Sequence, residues 1–171
     1  MKLDWQFAEK VQCSRQEKTE LLSVIDIVVK AAEKARQEGL LALDDDVGKY
    51  PNPLQRIGMQ LVVDGTDPEI IKSMLAARIL SENRSGKDFL EQVIIYDSVL
   101  SIQSGDNPRI VEEKCFSYLG KDADELHQKY ISEMRENGES PSVKNYMDAD
   151  GRVPDCFAEI SNSKSSCAGS Q

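Results

Sequence analysis

The chain lacks most of what catalysis or membrane passage needs. It has one histidine and four cysteines in 171 residues, and only 6% of its residues are aromatic. The cysteines, Cys13, Cys115, Cys156 and Cys167, form no CxxC pair. The spacing that supports a zinc site is therefore missing, and we expect no disulfide framework in a chain read as cytosolic. Cys115 reads as a small core residue. There is no GxxxxGK[ST] loop and no strand-flanked GxGxxG, so nucleotide binding has no support. No apolar run approaches the ~20 residues that a membrane-spanning helix needs. The longest, near 21–29 and 93–102, carry Asp26, Asp97 and Ser98. The start, MKLDWQFAEK, has no apolar signal core, and we expect a cytoplasmic protein.

Positive charge is also in short supply. The net charge is −9, which repels nucleic acid and opposes docking on anionic membranes. What remains is a chain with 40% hydrophobic residues, rich in Leu, Ile, Val and Ala. That composition fits one all-α domain better than a β-sandwich.

Periodicity gives the elements. One long helix is expected over 17–43, with Leu21, Val24, Ile25, Val28, Ala31, Ala32, Ala35 and Gly39 on one stripe. Asp44, Asp45 and Asp46 should stop it, because carboxylates oppose the dipole at a helix C-terminus. Tyr50-Pro51-Asn52-Pro53 reads as a turn, followed by a helix over 54–64 with Leu54, Ile57, Leu61 and Val62 inward. Thr66 is the expected cap of the next helix, with Pro68 in its first turn and Ile70, Ile71, Met74, Leu75 and Ile79 on its stripe. A polar break at 81–87 precedes a helix over 88–104, with Phe89, Val93, Tyr96 and Leu100 on one face. Gly105-Asp106-Asn107-Pro108 restarts the chain, with Asp106 or Asn107 as cap and Ile110, Val111, Cys115 and Leu119 inward; Gly120 closes that helix. The last helix covers 124–137, with Leu126, Tyr130, Ile131 and Met134 inward. The expected whole is a compact bundle of five to six short helices. It divides into a polar extension 1–16, a helical domain 17–138 and a Ser-rich tail 139–171 that reads as disordered.

No catalytic constellation emerges, and we read the chain as a non-enzyme without cofactor or metal. His127, in DADELHQKY, has no partner visible in sequence and reads as an exposed helix residue. The three aspartates 44–46 would diverge on a helix and read as solvated rather than as a cation site. Asp148-Ala149-Asp150-Gly151 fails as a calcium loop, because Tyr146 and Phe157 would occupy ligand positions. Surface charge is what is left. Arg36 and Asp44 are eight residues apart, which on a continuous helix is ~12 Å of rise and ~80° of net rotation. They would place a positive and a negative spot on one flank.

Three stretches resemble the cytoplasmic parts of the MotA family, the ion-channel subunit of the bacterial flagellar stator. They are KARQEGLLALDDD (34–46), RIGMQLVVDGTDPE (56–69) and YDSVLSIQSGDNPRIVEEKCFSYL (96–119). In that family the last two membrane helices lie between the second and third stretches. Here only the polar SENRSGKDFLEQ (81–92) connects them. The resemblance implies a contact with the rotor protein FliG through opposite charges, carried by Arg36 and Asp44, with Asp44 standing where Glu is usual. It also implies an oligomeric ancestry. Phe116 stands where the family has an aliphatic residue, and still suits a core position. Without membrane helices an ion path is not carried over. The expected function is a motility protein that acts by binding FliG or another flagellar component, cytoplasmic and peripheral at the motor. The alternative is a helical scaffold or self-associating protein, or a membrane-deleted MotA copy, in which the rotor contact is lost.

Overall fold

The computed structural model describes residues 5–136. The expected tail, the rejected calcium loop, Cys156 and Cys167 lie outside them. Among the described residues every regular element is helical. Helices α1 (Trp5–Lys10) and α2 (Arg15–Glu20) lead into α3 (Leu22–Glu38), a 3-10 turn (Leu40–Leu43) and the short α4 (Asp44–Val47). Then come α5 (Pro53–Val63), α6 (Pro68–Glu82), α7 (Gly86–Gln103) and α8 (Pro108–Ser117). A second 3-10 turn (Gly120–Asp122) precedes α9 (Ala123–Glu136). Six of these, α3 and α5 to α9, are at least ten residues long and make up the expected bundle.

The long helix expected over 17–43 is not continuous. It starts earlier, because Ser14 and Glu17 form a reciprocal capping box at the head of α2. It stops at Gly39, whose φ of 91° and ψ of 163° no helix accommodates. The three aspartates therefore do not oppose a helix C-terminus. They form the first turn of α4, where carboxylates complement the dipole.

Three proline-led helices share one capping solution. Asn52, Asp67 and Asn107 each accept, through Oδ1, the backbone N–H two residues on, at 2.8, 2.9 and 3.0 Å. Proline at N1 needs no partner for its missing N–H, so the residue immediately before it takes the cap position. That is why Asp67, not Thr66, caps α6.

Helix α7 is the axis of the fold and packs against α1, α3, α5, α6 and α8. Eleven of its 18 residues are buried, including Leu90, Ile94, Ile95, Ser98 and Val99, so the single face expected from periodicity is too narrow. The neighbours pay for this with narrower faces of their own. On α6 only Ile71, Leu75 and Ile79 are buried, while Ile70 and Met74 are exposed. On α8 Ile110 is exposed, and Val111 and Cys115 face inward. On α5 the inner face is Leu54, Gln55, Gly58, Met59 and Val62; Ile57 and Leu61 pack at its edge. Leu126 and Tyr130 bury α9 as expected.

Candidate protein-docking site

Arg36 occupies the last turn of α3 and is exposed. Its Nη1 donates to the carbonyl of Gly105 at 3.4 Å, across 69 residues of sequence. Gly105 begins the turn between α7 and α8. The same end of α7 reaches back to the turn before α6, because Gln103 Nε2 donates to the Thr66 carbonyl at 2.7 Å. The three stretches singled out in sequence thus meet at one end of the bundle. Lys114 fastens the α7–α8 turn, donating to Asp106 Oδ2 at 2.8 Å and to Ser101 Oγ at 2.7 Å. That ammonium holds the Asp106 carboxyl below its ordinary range. A groove of about 380 Å³ runs between these elements, lined by Ala32, Ala35, Arg36, Gly39, Leu40, Ile102, Gly105 and Asp106.

Asp44 begins α4 and is exposed, with no ion pair among the described residues. The helical geometry expected to relate it to Arg36 does not apply, since Gly39 and the 3-10 turn intervene. Leu43, fully buried, pins the far end of that turn, and Leu41 projects from it at 75% exposure.

The three aspartates are not equivalent. Asp46 accepts from Lys34 at 2.5 Å and from Lys49 at 2.7 Å, and these ammonium groups pull its carboxyl down to about 2. Lys34 correspondingly is raised, chiefly by that same hydrogen bond. Asp46 ties α4 to α3 and is a structural clamp; Asp44 and Asp45 face solvent. Spacing along the sequence could not separate the three. The signal that does is which lysine the fold brings back to them.

His127 corrects its expected exposure. It is half-buried, stacked on Phe116 with ring centroids 4.3 Å apart, and its Nε2 lies 2.5 Å from Glu112 Oε1. The Glu112 carboxylate raises the imidazole pKa, while burial opposes the rise. The partner sits on α8, so α9's own sequence could not reveal it. A histidine whose pKa is raised on folding stabilises the fold fully below its unfolded value, near 6.5, and that contribution fades as pH climbs through the folded value. The urea midpoint of the parent is therefore expected to fall as pH rises above about 6.5. His127→Gln should flatten that part of the profile; an unchanged slope in the variant would remove His127 as its source.

Cys115 is buried against Ser98 Oγ at 3.2 Å, and burial pushes its thiol up to about 12. It is a core residue, and Phe116 beside it is buried as well. A surface cavity of about 560 Å³ lies between α2, α3 and α9. Its polar lining is dominated by charged chains such as Asp26, Lys30, Lys129 and Glu133. Lys30 and Asp26 pair with each other at 3.1 Å, and Tyr130 donates weakly to Asp26 at 3.4 Å. Burial pushes the Tyr130 hydroxyl pKa upward, so it is a poor acid or base there.

No family model matches the chain. Individual relatives do. Motility protein A of Borreliella burgdorferi is 29% identical over 180 aligned residues, covering 62% of this chain and 69% of that protein. Motility protein A of Treponema pallidum is 32% identical over 56 residues, and that of Treponema phagedenis 35% over 52. The chain is MotA-like.

The coverage carries its own information. In the Borreliella match, 62% of 171 residues is about 106, well short of the 180 aligned positions, so the alignment crosses positions with no counterpart in the MotA-like chain. The two Treponema matches span only 22% and 20% of those proteins. Among the described residues no helix is long and apolar enough to cross a membrane. These relatives are named as motility proteins, not as enzymes.

Proposed function

We propose that the MotA-like chain works in motility by binding another protein, and that the contact is made by Arg36 and Asp44 within the helical domain 17–138. The partner that suits this reading best is the rotor protein FliG, met through opposite charges. The observation that carries the proposal is a contrast within a single stretch. Lys34 and Asp46 neutralise each other internally, whereas Arg36 and Asp44 remain exposed on either side of the Gly39 turn. Arg36 is tied to the fold only by one long hydrogen bond to the Gly105 carbonyl, at 3.4 Å, and Asp44 by no ion pair among the described residues, so both charges are available to orient a partner. The place of action is the cytoplasmic side of the motor, and neither catalysis nor ion conduction enters.

The test is calorimetric titration of the full chain against the FliG torque-generating domain at low and high salt. Binding should weaken with salt, as expected for exposed charges. The double reversal Arg36→Glu with Asp44→Lys should weaken it by about tenfold at low salt. Parent-like affinity in the double variant would sink the site assignment.

A second reading is favoured by α6. Ile70, Met74 and Leu80 are 51%, 48% and 74% exposed, an apolar surface that suits a scaffold or self-associating protein. Salt-insensitive self-association in light scattering, with no affinity for FliG, would select it.

A further inference from the structure

Among the described residues Leu41 is the most exposed large hydrophobic side chain, at 75%. Its neighbours in the LLAL turn do the opposite. Leu43 is fully buried and Leu40 lies against the core, so together they fix the turn. The turn's backbone is also closed by Ala42 N–H donating to the Gly39 carbonyl at 3.2 Å. Leu41 is therefore held outward by a rigid support rather than left loose. A leucine left in water forgoes the stabilisation that burial would give it. It lies in sequence between Arg36 and Asp44, both exposed and of opposite sign. An apolar centre with a charged rim is the anatomy of a protein interface.

We propose that Leu41 is the apolar anchor of the docking site. It enters an apolar pocket on the partner's surface, with a partner carboxylate meeting Arg36 and a partner lysine or arginine meeting Asp44. This rests on the docking reading above, and adds to it the chemistry of the partner: a pocket flanked by one acidic and one basic residue. The rigid turn matters because a side chain ordered before binding loses little entropy on binding. The rim charges set approach and orientation; the anchor sets how long the complex lasts.

The two roles separate experimentally. Leu41→Ser, Leu41→Met and the Arg36→Glu/Asp44→Lys double variant are titrated against the FliG torque-generating domain at low and high salt. Circular dichroism confirms that each folds, as an exposed leucine predicts. Leu41→Ser is expected to lose about tenfold in affinity by the same factor at both salts, mainly through faster dissociation. Leu41→Met should stay close to the parent. The charge variant should lose affinity at low salt and flatten the salt dependence.

Parent-like binding by Leu41→Ser, with weakened binding by the charge variant, would overturn the anchor and leave the docking reading intact. Failure of the parent itself to bind would overturn both. If the parent instead self-associates and Leu41→Ser abolishes that, the occupant is a second copy of this chain, and the flanked-pocket partner is wrong.

Discussion

Replacing Gly58 with leucine is expected to cost about 3 kcal/mol of stability or more, enough to unfold much of the population of a marginally stable domain. Gly58 lies mid-helix in α5, facing α7 and α6. A Cβ there would stand 2.9 and 3.1 Å from the two γ-carbons of Val99 and 3.4 Å from Leu75 Cδ1. Val99 is fully buried, and its β-branched side chain has one strongly preferred rotamer on a helix, so it cannot swing aside. Leu75 is fully buried as well. In an exposed helix, glycine to alanine would gain about 1 kcal/mol. Here even Gly58→Ala should be destabilising, by about 1 kcal/mol net, because the clash exceeds the gain in propensity.

A double-mutant cycle isolates the cause. Val99→Ala alone opens a cavity and costs stability. In that background the obstructing γ-carbons are gone, so Gly58→Ala should change sign and stabilise. Urea denaturation of the four proteins reads this directly. Additive effects across the cycle would mean that the two positions do not touch in the way described.

How far the sequence reveals the fold depends on what each residue's signal is. Proline-led restarts were readable because their chemistry is local: Asn52-Pro53, Asp67-Pro68 and Asn107-Pro108 carry the cap and the first turn in adjacent residues, although sequence points to Thr66 rather than Asp67 as the α6 cap and leaves Asp106 open beside Asn107. Helix α3 was readable because one broad stripe from Ile25 to Ala32 faces the core. Helix α7 was harder, since a helix wrapped by five others has no single face for periodicity to find. Its burial comes at the expense of Ile70, Met74 and Ile110, which look inward in sequence and lie outward in the fold. Gly58 gave no signal at all, because its role is the space it leaves for Val99, 41 residues away.

The candidate site divides the same way. Arg36 and Asp44 could be named from the resemblance, and both proved to be exposed. Sequence could not show that they stand apart from the Lys34–Asp46 clamp until the fold paired the latter two. The exposure of Leu41 was likewise hidden, since LLAL reads as uniformly apolar. A three-residue 3-10 period, not the α-helical one, decides which of its leucines points outward.

Gly39→Ala is expected to cost about 2 kcal/mol, and to weaken partner binding without altering a single contact residue. Gly39 has φ 91° and ψ 163°, a region essentially reserved for glycine. A Cβ at Gly39 would meet no atom within 4 Å, so the cost is backbone strain and not a clash. The chain can relieve that strain only by rotating φ, which moves the 3-10 turn relative to α3. Leu41 and Asp44 ride on the moving side, and Arg36 stays with α3. Gly48 is the control. Its φ of −66° and ψ of −18° suit any residue, and a Cβ there would also meet nothing within 4 Å. Gly48→Ala should therefore be neutral or stabilise by up to about 1 kcal/mol, chiefly by restricting the unfolded chain. Thermal or urea unfolding of the two alanine variants compares strain with open space at matched chemistry. If Gly39→Ala proved as harmless as Gly48→Ala, the turn would not be held by its glycine. The fixed placement of Leu41 and Asp44 would then need another cause.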